Sequence, residues 1–283
     1  MSDEAYSGPA SPAAEDVPTG PAAGASLRPV GLAERITELD VLRGFAIFGI
    51  FMVNLQMFNI PMTLPQIDPG YWPAAVDRAA NFMVSFLFQG KFYTIFSFLF
   101  GLGIAIQISR ADARAVVFRP VIRRRLLALL GIGLLHAALL WYGDILSTYA
   151  VIGFLLVLLR KRSDRALKIW FAALFIFPLL LHLTWVALTQ SGVIPDMGPE
   201  ILRELRKDML VSLDVYANGS WSEIFVKRAG DFGSMWQGVV FFGANILALF
   251  ILGLLAGRRQ LFHEVATHRD LFRRVRNWTA GPG

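Results

Sequence analysis

Residues 35–54, RITELDVLRGFAIFGIFMVN, begin with polar residues and become strongly apolar from Val41 onward. Three polar side chains remain in or beside the apolar run: Asp40, Arg43 and Asn54. At about 100° per residue, they fall within roughly a 60° sector of one helix face. Because lipid cannot solvate such a stripe, a membrane helix must direct it toward protein or water. The stretch therefore predicts a membrane helix that lines a polar site.

The same three residues also have a simpler interpretation. Asp40 would cap the start of the helix, and the Arg43 side chain would extend to the lipid phosphates at the membrane surface. Both interpretations predict a membrane helix, and they differ only in whether the stripe faces a functional cavity.

The composition indicates an integral membrane protein. The 283 residues are 55% hydrophobic and 17% charged, and the mean hydropathy is positive. The formal net charge is +6, but the basic residues cluster between apolar runs, a pattern typical of membrane topology rather than of nucleic-acid binding. The chain has no cysteine, which excludes disulfides and thiolate chemistry, and its four histidines show no metal-site spacing. We therefore expect no metal.

Six apolar runs predict six membrane-spanning helices. They cover residues 41–60, 92–108, 126–142, 145–159, 169–189 and 238–256. Residues 82–88 are also apolar, but the sequence QGK at 89–91 separates them from the second run. Either one helix starts at Phe82, or a short interfacial helix precedes the second span. The interruption favours the short separate helix.

The basic residues predict the orientation of these spans. They cluster at 110–125, 160–168 and 258–276, whereas the alternate connections at 61–91, 143–144 and 190–237 are mixed or acidic-leaning. Since cytoplasmic connections carry the excess of Lys and Arg, both ends of the bundle are expected in the cytoplasm. The predicted fold is an all-α, polytopic transmembrane helix bundle.

Three regions divide the chain. Residues 1–30, rich in Ala, Pro, Ser and Gly, predict a disordered tail. Residues 31–262 form the transmembrane domain, and residues 263–283 a basic amphipathic segment at the cytoplasmic surface. Within the domain, the outer connection contains ILRELRKDMLVSLDVYA at 201–217, whose spacing predicts an amphipathic helix. It would lie on the outer surface or cover a cavity, and the surface position is favoured.

Glycine pairs predict close helix packing. Gly253 and Gly257 form a GxxxG pair, which allows two helix backbones to approach. The glycine pairs at 101/103 and 131/133 also predict close helix packing. The alternative is that a ligand approaches the backbone at these glycines.

Ionisable residues near the outer membrane surface are the candidates for chemistry. His136 lies eleven residues past Arg125, about 16 Å along the helix, and so in the outer half of the bilayer. Its alternative role is a neutral histidine that bonds a neighbouring helix. Asp144, in the next turn, would orient the imidazole or cap the following helix. Lys91 would pair with Asp144, hold an anionic substrate or extend to the interface.

Four stretches resemble the YeiB-like family of bacterial inner-membrane proteins (domain of unknown function 418). They are residues 35–54, KFYTIFSFLFGLGIAI at 91–106, RRRLLALLGIGLLHAALLWYGDIL at 123–146 and ILALFILGLLAGRRQLF at 246–262. The resemblance spans residues 35–262 and implies a multi-pass protein of the bacterial cytoplasmic membrane. Members of this family usually continue for further spans, so the chain is expected to be truncated relative to the family.

The first helix is also similar to that of heparan-α-glucosaminide N-acetyltransferase and related transmembrane acyltransferases. The shared pattern maps to Asp40, Arg43, Gly44 and Asn54. This similarity implies transfer of an acyl group from cytosolic acyl-CoA to an extracytoplasmic hydroxyl or amine, for example on an envelope glycan or lipid. The catalytic histidine of the human enzyme follows its first helix, whereas residues 55–81 here contain none. We therefore assign that role to His136.

Two functions are therefore predicted. In an acyltransferase, Arg43 with Arg123 or Arg124 would hold the CoA phosphates. His136 would act as general base or acyl carrier, oriented by Asp144, and Asn54 would donate to the oxyanion. No permanently bound cofactor is expected, and acyl-CoA would be the donor. In the alternative, a transporter of small molecules or lipids, the substrate path would be lined by Asp40, Arg43, Lys91 and His136.

Overall fold

The computed structural model describes residues 36–58, 74–194, 198–262 and 267–280. Within these ranges the secondary structure is entirely helical. In chain order the helices are α1 Thr37–Leu55, α2 Ala75–Leu87, α3 Phe92–Ala113, α4 Phe118–Leu139, α5 Leu146–Leu159, α6 Asp164–Gln190, α7 Pro199–Asn218, α8 Trp221–Arg258 and α9 Arg269–Ala280. The all-α prediction is confirmed for these ranges, and the tail expected at 1–30 lies outside them.

Three helical stretches have the length and apolar composition needed to cross a membrane. They are Ala75–Ala113, which joins α2 and α3, then α6 and α8. Helix α5 is apolar but shorter. Helices α1 and α4 are long enough, but they carry several charged residues in their N-terminal halves. The chain is therefore a membrane protein with at least three helices suited to spanning.

The helix break expected before the second span is present. Helix α2 ends at Leu87, α3 begins at Phe92, and Gly90 between them has a φ of +77°. A side chain at this position would be strained, which is why the turn uses glycine. The preceding helix is longer than expected, because it starts at Ala75 rather than near Phe82.

Helices α3 and α8 form the centre of the bundle through direct backbone contact. A Cβ built on Gly101 would lie 2.0 Å from the Phe250 carbonyl oxygen, and one built on Gly253 would lie 2.1 Å from the Phe98 carbonyl oxygen. Gly257 meets Ala105 further along, so the two helices run in the same direction. The close packing predicted from the GxxxG pair is confirmed. The same expectation is wrong for Gly131, which has open space beside it because it lies on the outward face of α4.

An aromatic cluster joins α5 to this central pair. The Tyr149 ring lies 5.5 Å from the Phe100 ring and 5.1 Å from the Phe250 ring, measured between centroids. Its hydroxyl lies 2.6 Å from the Ser97 Oγ, and both side chains are buried. This hydrogen bond allows a tyrosine to fill a core position without leaving its hydroxyl unpaired.

The remaining helices pack around the centre in alternating directions. Helix α1 runs antiparallel to α3, since its Arg43 lies beside Gly103 and its Gly49 lies against the Phe92 ring. Helices α4 and α5 are also antiparallel, because Gly133 meets Ser147 near one end and Leu126 meets Gly153 near the other. Helix α6 packs on α8 and keeps most of its apolar surface exposed.

The predicted span at 238–256 is the second part of a longer helix. Helix α8 starts at Trp221, where Ser220 and Glu223 form a capping box. Its 38 residues correspond to about 57 Å, whereas a bilayer core is about 30 Å thick. The first part of α8 therefore projects beyond the bilayer core.

The amphipathic helix expected at 201–217 is observed as α7, and it packs on the projecting part of α8. Lys227 of α8 pairs with Asp231 at 2.8 Å and with Asp208 of α7 at 3.6 Å. The Tyr216 hydroxyl of α7 donates to the Asp231 Oδ2 at 2.7 Å. Burial and the Asp231 carboxylate raise the pKa of the Tyr216 phenol, so it remains a donor.

The basic segment expected at 263–283 contains α9. Phe272 of α9 packs on Phe262, with 5.8 Å between ring centroids, and Phe262 packs on Phe98 of α3 at 6.0 Å. These rings hold α9 against the end of the bundle at which α8 finishes.

The contact between α3 and α8 predicts opposite effects for two glycine substitutions. Gly253→Ala places a methyl group on the α3 backbone and should destabilise the fold by about 1–3 kcal/mol. Gly131→Ala, in open space on α4, should leave stability unchanged or raise it by about 0.5–1 kcal/mol. Thermal unfolding of both variants in the same detergent measures the difference. Equal unfolding temperatures would contradict the close contact.

Candidate functional site

His136 and Asp144 meet at the C-terminal end of α4, which is the outer end in the orientation predicted from the sequence. The His136 Nδ1 lies 3.3 Å from the Asp144 Oδ1, although the two atoms are not aligned as a hydrogen bond. The Asp144 side chain is fully buried, whereas about a third of the His136 side chain is exposed. The predicted pairing is therefore present, and the Nε2 side of the ring is the one left to meet a ligand.

Asp144 is held rigidly because it also caps α5. Its Oδ1 accepts a hydrogen bond from the Leu146 amide at 3.1 Å, and its Oδ2 accepts one from the Ser147 amide at 2.7 Å. Of the two roles considered for Asp144, the cap of α5 is observed, and the carboxylate also lies 3.3 Å from the His136 Nδ1. A Cβ on Gly133 would lie 2.8 Å from the Asp144 Oδ2, so glycine is what admits the carboxylate against α4.

Unpaired polar atoms are concentrated around this pair. Among the described residues, the buried atoms without a hydrogen-bond partner include the His136 Nδ1, the Trp141 Nε1, the Ser147 Oγ and the Thr148 Oγ1. Buried polar atoms are nearly always hydrogen-bonded in folded proteins. Four such atoms within 13 residues of sequence therefore indicate a place where water or a polar ligand binds.

The outer end of α4 also receives a side chain from α8. The Arg228 Nη1 donates to the Ala138 carbonyl oxygen of α4 at 2.9 Å. The ring of Tyr142, in the turn after α4, stacks on the Tyr216 ring of α7 with 6.3 Å between centroids. Helices α7 and α8 therefore cover the region beside His136.

A second polar cluster lies toward the opposite end, between α1, α3 and α4. The Arg43 Nη1 pairs with the Asp40 Oδ1 at 2.7 Å, and its guanidinium lies against Gly103. One turn along α3, the Gln107 Nε2 donates to the Gly103 carbonyl oxygen at 3.1 Å. The Gln107 Oε1 accepts a hydrogen bond from the Arg125 Nη1 at 2.9 Å. The first helix thus directs Arg43 toward protein, as its polar stripe predicts.

Some of the expected residues take other positions. Asp40 pairs with Arg43 instead of capping α1, whose N-cap is Ile36. Arg123 and Arg124 are exposed, and the neighbouring Arg125 makes the contact within the bundle.

Among the described residues, no ion pair joins Lys91 to Asp144. Its Nζ bonds the Phe86 carbonyl oxygen and lies 5.7 Å from the centre of the Phe86 ring. Its contacts therefore belong to the turn between α2 and α3.

The two polar clusters lie on matching faces of α1 and α4. Arg43 and Asn54 are eleven residues apart, as are Arg125 and His136, and each interval is about 16 Å with a rotation of roughly 20°. At the outer end, the Phe58 ring that follows α1 packs edge-on against the Trp141 ring, 5.0 Å between centroids. The half-buried Asn54 lies one turn before this ring contact, on the same end of α1.

Three residues that contact the two polar clusters were not predicted from the sequence: Gln107, Arg125 and Arg228. Gln107 was visible as a polar side chain near the end of an apolar run. For Arg125, the signal was the eleven-residue interval to His136, which places both on one helix face. Arg228 gave no such signal, because it becomes a neighbour of α4 only through the packing of α8. Among the described residues, no group of three or more His, Cys, Asp or Glu has the arrangement of a metal site.

Comparisons with known proteins find relatives whose names assign no function. The chain is 37% identical over 273 residues to the uncharacterised protein YxaH of Bacillus subtilis, covering 90% of this chain and 65% of that protein. It is 36% identical over 129 residues to an uncharacterised 39.9 kDa protein of Bacillus acidopullulyticus, covering 46% of this chain and 35% of that protein.

A third relative is the uncharacterised protein YeiB of Escherichia coli, 34% identical over 122 residues, or 42% of this chain and 30% of that protein. No family model matches the chain, and no solved structure matches it. The chain spans less than two thirds of the length of these relatives. The similarity to YxaH and YeiB supports a YeiB-like family for this membrane protein.

Proposed function

We propose that this protein is an acyltransferase of the bacterial cytoplasmic membrane, which moves an acyl group from cytosolic acyl-CoA to an extracytoplasmic hydroxyl or amine. The acceptor would belong to an envelope glycan or lipid. The observation that carries the proposal is the His136–Asp144 pair, a part-exposed imidazole 3.3 Å from a fully buried carboxylate. A general base and an orienting carboxylate in this arrangement are suited to activate an acceptor for acyl transfer.

Six spans with cytoplasmic ends are part of the proposal. The alternating directions of α1, α3, α4 and α5 support it, as does the contact between Asp164 at the start of α6 and Arg258 at the end of α8. The basic residues at the ends where α3, α5 and α8 finish support it too. In this topology Arg43 and Arg125 lie on the cytoplasmic side, and His136 lies on the outer side. The bilayer is the principal partner, and α7 lies outside it.

The inner cluster is suited to bind the donor. The Arg43 and Arg125 guanidinium groups are directed to the same part of α3 by Gly103 and Gln107. Arginine donors match the oxygens of a phosphate, so the CoA phosphates would bind here. The thioester then lies about 16 Å further along α4, near His136, an interval comparable to an extended phosphopantetheine arm.

The outer cluster is suited to carry out the transfer. With its proton on Nδ1, the nitrogen 3.3 Å from Asp144, His136 presents the Nε2 lone pair, which accepts the proton of the acceptor hydroxyl or amine. The acceptor oxygen or nitrogen then bonds the thioester carbonyl carbon, and Asn54 donates a hydrogen bond to the resulting oxyanion. As the carbon–sulfur bond breaks, the imidazolium returns its proton to the leaving CoA sulfur. Protons balance and His136 is regenerated.

A transporter is the second candidate, and one observation favours it. The backbone break at Gly90 interrupts the α2–α3 stretch, and interrupted helices are typical of transporter substrate sites. In that function the polar clusters would line a path for a small molecule or lipid, and acyl-CoA would not be required.

If Arg43 binds the acyl-CoA donor, its substitution should weaken donor binding more than substitution of another arginine. Arg43→Ala removes charge-assisted hydrogen bonds worth about 1.5–3 kcal/mol, so acyl-CoA affinity should fall by roughly 10- to 150-fold. Arg123→Ala removes an exposed arginine from α4, and this variant should bind acyl-CoA almost as tightly as the unsubstituted protein does. Thermal shift of purified protein against acetyl-CoA concentration measures both. Equal losses in the two variants would contradict a donor site at Arg43.

If His136 is the general base, its substitution should lower the rate of acyl transfer. His136→Ala should reduce acyl transfer by about 10²- to 10⁴-fold while donor binding remains. Asp144→Asn keeps only one of the two oxygens that cap α5 and removes the negative charge that stabilises the imidazolium, so the rate should fall by about tenfold or more. His182→Ala, a histidine substitution on α6, is the matched control and should be fully active.

Two outcomes would contradict the proposed acyltransferase function. One is full transfer activity in folded His136→Ala protein. The other is uptake of a small molecule into proteoliposomes without acyl-CoA and with no acylated product, which would identify a transporter.

A further inference from the structure

A basic cleft lies at the end of the bundle where α3, α5 and α8 finish, away from both polar clusters. It has a volume of about 690 Å³ and is enclosed by the C-terminal turns of α3, α5 and α8 and the start of α4. Four cationic side chains line it, Arg119, Arg160, Lys161 and Arg258, against the single carboxylate of Asp112. The cleft therefore carries a net positive charge.

Two of these cations are fixed by the fold. The Arg258 Nη1 pairs with the Asp164 Oδ1 at 2.8 Å and donates to the Arg162 carbonyl oxygen at 3.0 Å. The Arg160 guanidinium lies 5.6 Å from the centre of the Phe118 ring, and its Nη1 donates to the Val157 carbonyl oxygen at 2.9 Å. These contacts hold two positive charges in the wall of the cleft without neutralising that of Arg160.

The other two cations have no such contacts. Within the described ranges, Arg119 and Lys161 are exposed and form no ion pair or side-chain hydrogen bond. Two exposed cations without such contacts, in a cleft that also holds the charge of Arg160, are suited to bind an anion with several oxygens, such as a phosphate.

The floor of the cleft is apolar. Ile108 of α3, Phe118 of α4 and Leu254 of α8 contribute to it, together with the backbone at Gly257. A ligand that matches the whole cleft therefore combines a negative head with an apolar body. In the proposed topology this end of the bundle meets the cytoplasmic leaflet, where basic pockets between helices bind anionic lipid headgroups.

The cleft is separate from the proposed donor site. Three residues of α3 that line the cleft, Ala105, Ile108 and Asp112, fall within a sector of roughly 60° about the helix axis. Gly103 and Gln107 lie on the opposite face of the same helix. A ligand in the cleft is therefore a different molecule from one held at Arg43.

We propose that this cleft binds the phosphodiester headgroup of an anionic phospholipid. Arg119 and Lys161 contact the phosphate oxygens, Arg160 provides a fixed positive charge, and the first acyl carbons lie along Ile108. The bound lipid joins the ends of α3, α4, α5 and α8 and so stabilises the bundle. This inference rests on the proposed topology, but it does not depend on the acyltransferase activity.

Thermal unfolding in neutral detergent tests the proposal. Added phosphatidylglycerol should raise the unfolding temperature by roughly 3–6 °C, and phosphatidylcholine at the same mole fraction should not. The double variant Arg119→Gln/Lys161→Gln should lose this increase but unfold normally without lipid, because neither side chain makes a structural contact. Arg123→Gln/Arg124→Gln removes the same charge from exposed positions outside the cleft and should keep the increase.

Other results would overturn the proposal. If both double variants lose the increase equally, the lipid responds to surface charge and not to the cleft. If inorganic phosphate or CoA gives an increase that depends on Arg119 and Lys161, whereas phosphatidylglycerol gives none, the cleft binds a soluble phosphate. An unchanged increase in Arg119→Gln/Lys161→Gln protein places the lipid elsewhere.

Discussion

The backbone contact between α3 and α8 is the constraint on which the rest of the bundle depends. Between two helices surrounded by lipid the hydrophobic effect contributes little, so packing of small residues must hold them together. Gly101 and Gly253 allow the two backbones to meet at van der Waals distance, and Phe250 fills the space beside them. This rigid pair provides the surfaces on which α1, α5 and α6 pack, and α4 packs on α5.

Both polar clusters follow from this arrangement. Helix α1 crosses α3 where Gly103 leaves room for the Arg43 guanidinium, and α4 contributes Arg125 to the same region. At the outer end, Gly133 admits Asp144 against α4, which fixes the carboxylate beside His136. In both places a glycine, which has no side chain, leaves room for a charged side chain. Placing an ionisable side chain inside a membrane bundle costs free energy, and polar partners at close range offset this cost.

The two ends of the bundle differ in how their charges are used. At the outer end a single buried carboxylate accepts two amide hydrogen bonds and lies 3.3 Å from one imidazole nitrogen. At the opposite end many cations surround few carboxylates, and some of these cations are held by carbonyl oxygens at helix ends. The outer arrangement suits proton transfer to or from one atom, and the inner one suits attraction of phosphates.

The sequence alone determined the helical class, the membrane character, the orientation of Arg43 toward protein and the adjacency of His136 and Asp144. These properties depend on hydropathy, on a helical period and on a turn of a few residues, all of which are local. Only the tertiary structure decided that Arg125, and not Arg123 or Arg124, meets α3, and that Arg228 reaches α4 across 90 residues of sequence. It also decided that Lys91 stays with Phe86 and that Gly131 faces open space. The physical reason is that such contacts depend on how one helix is rotated against another, and side-chain packing between distant segments sets that rotation.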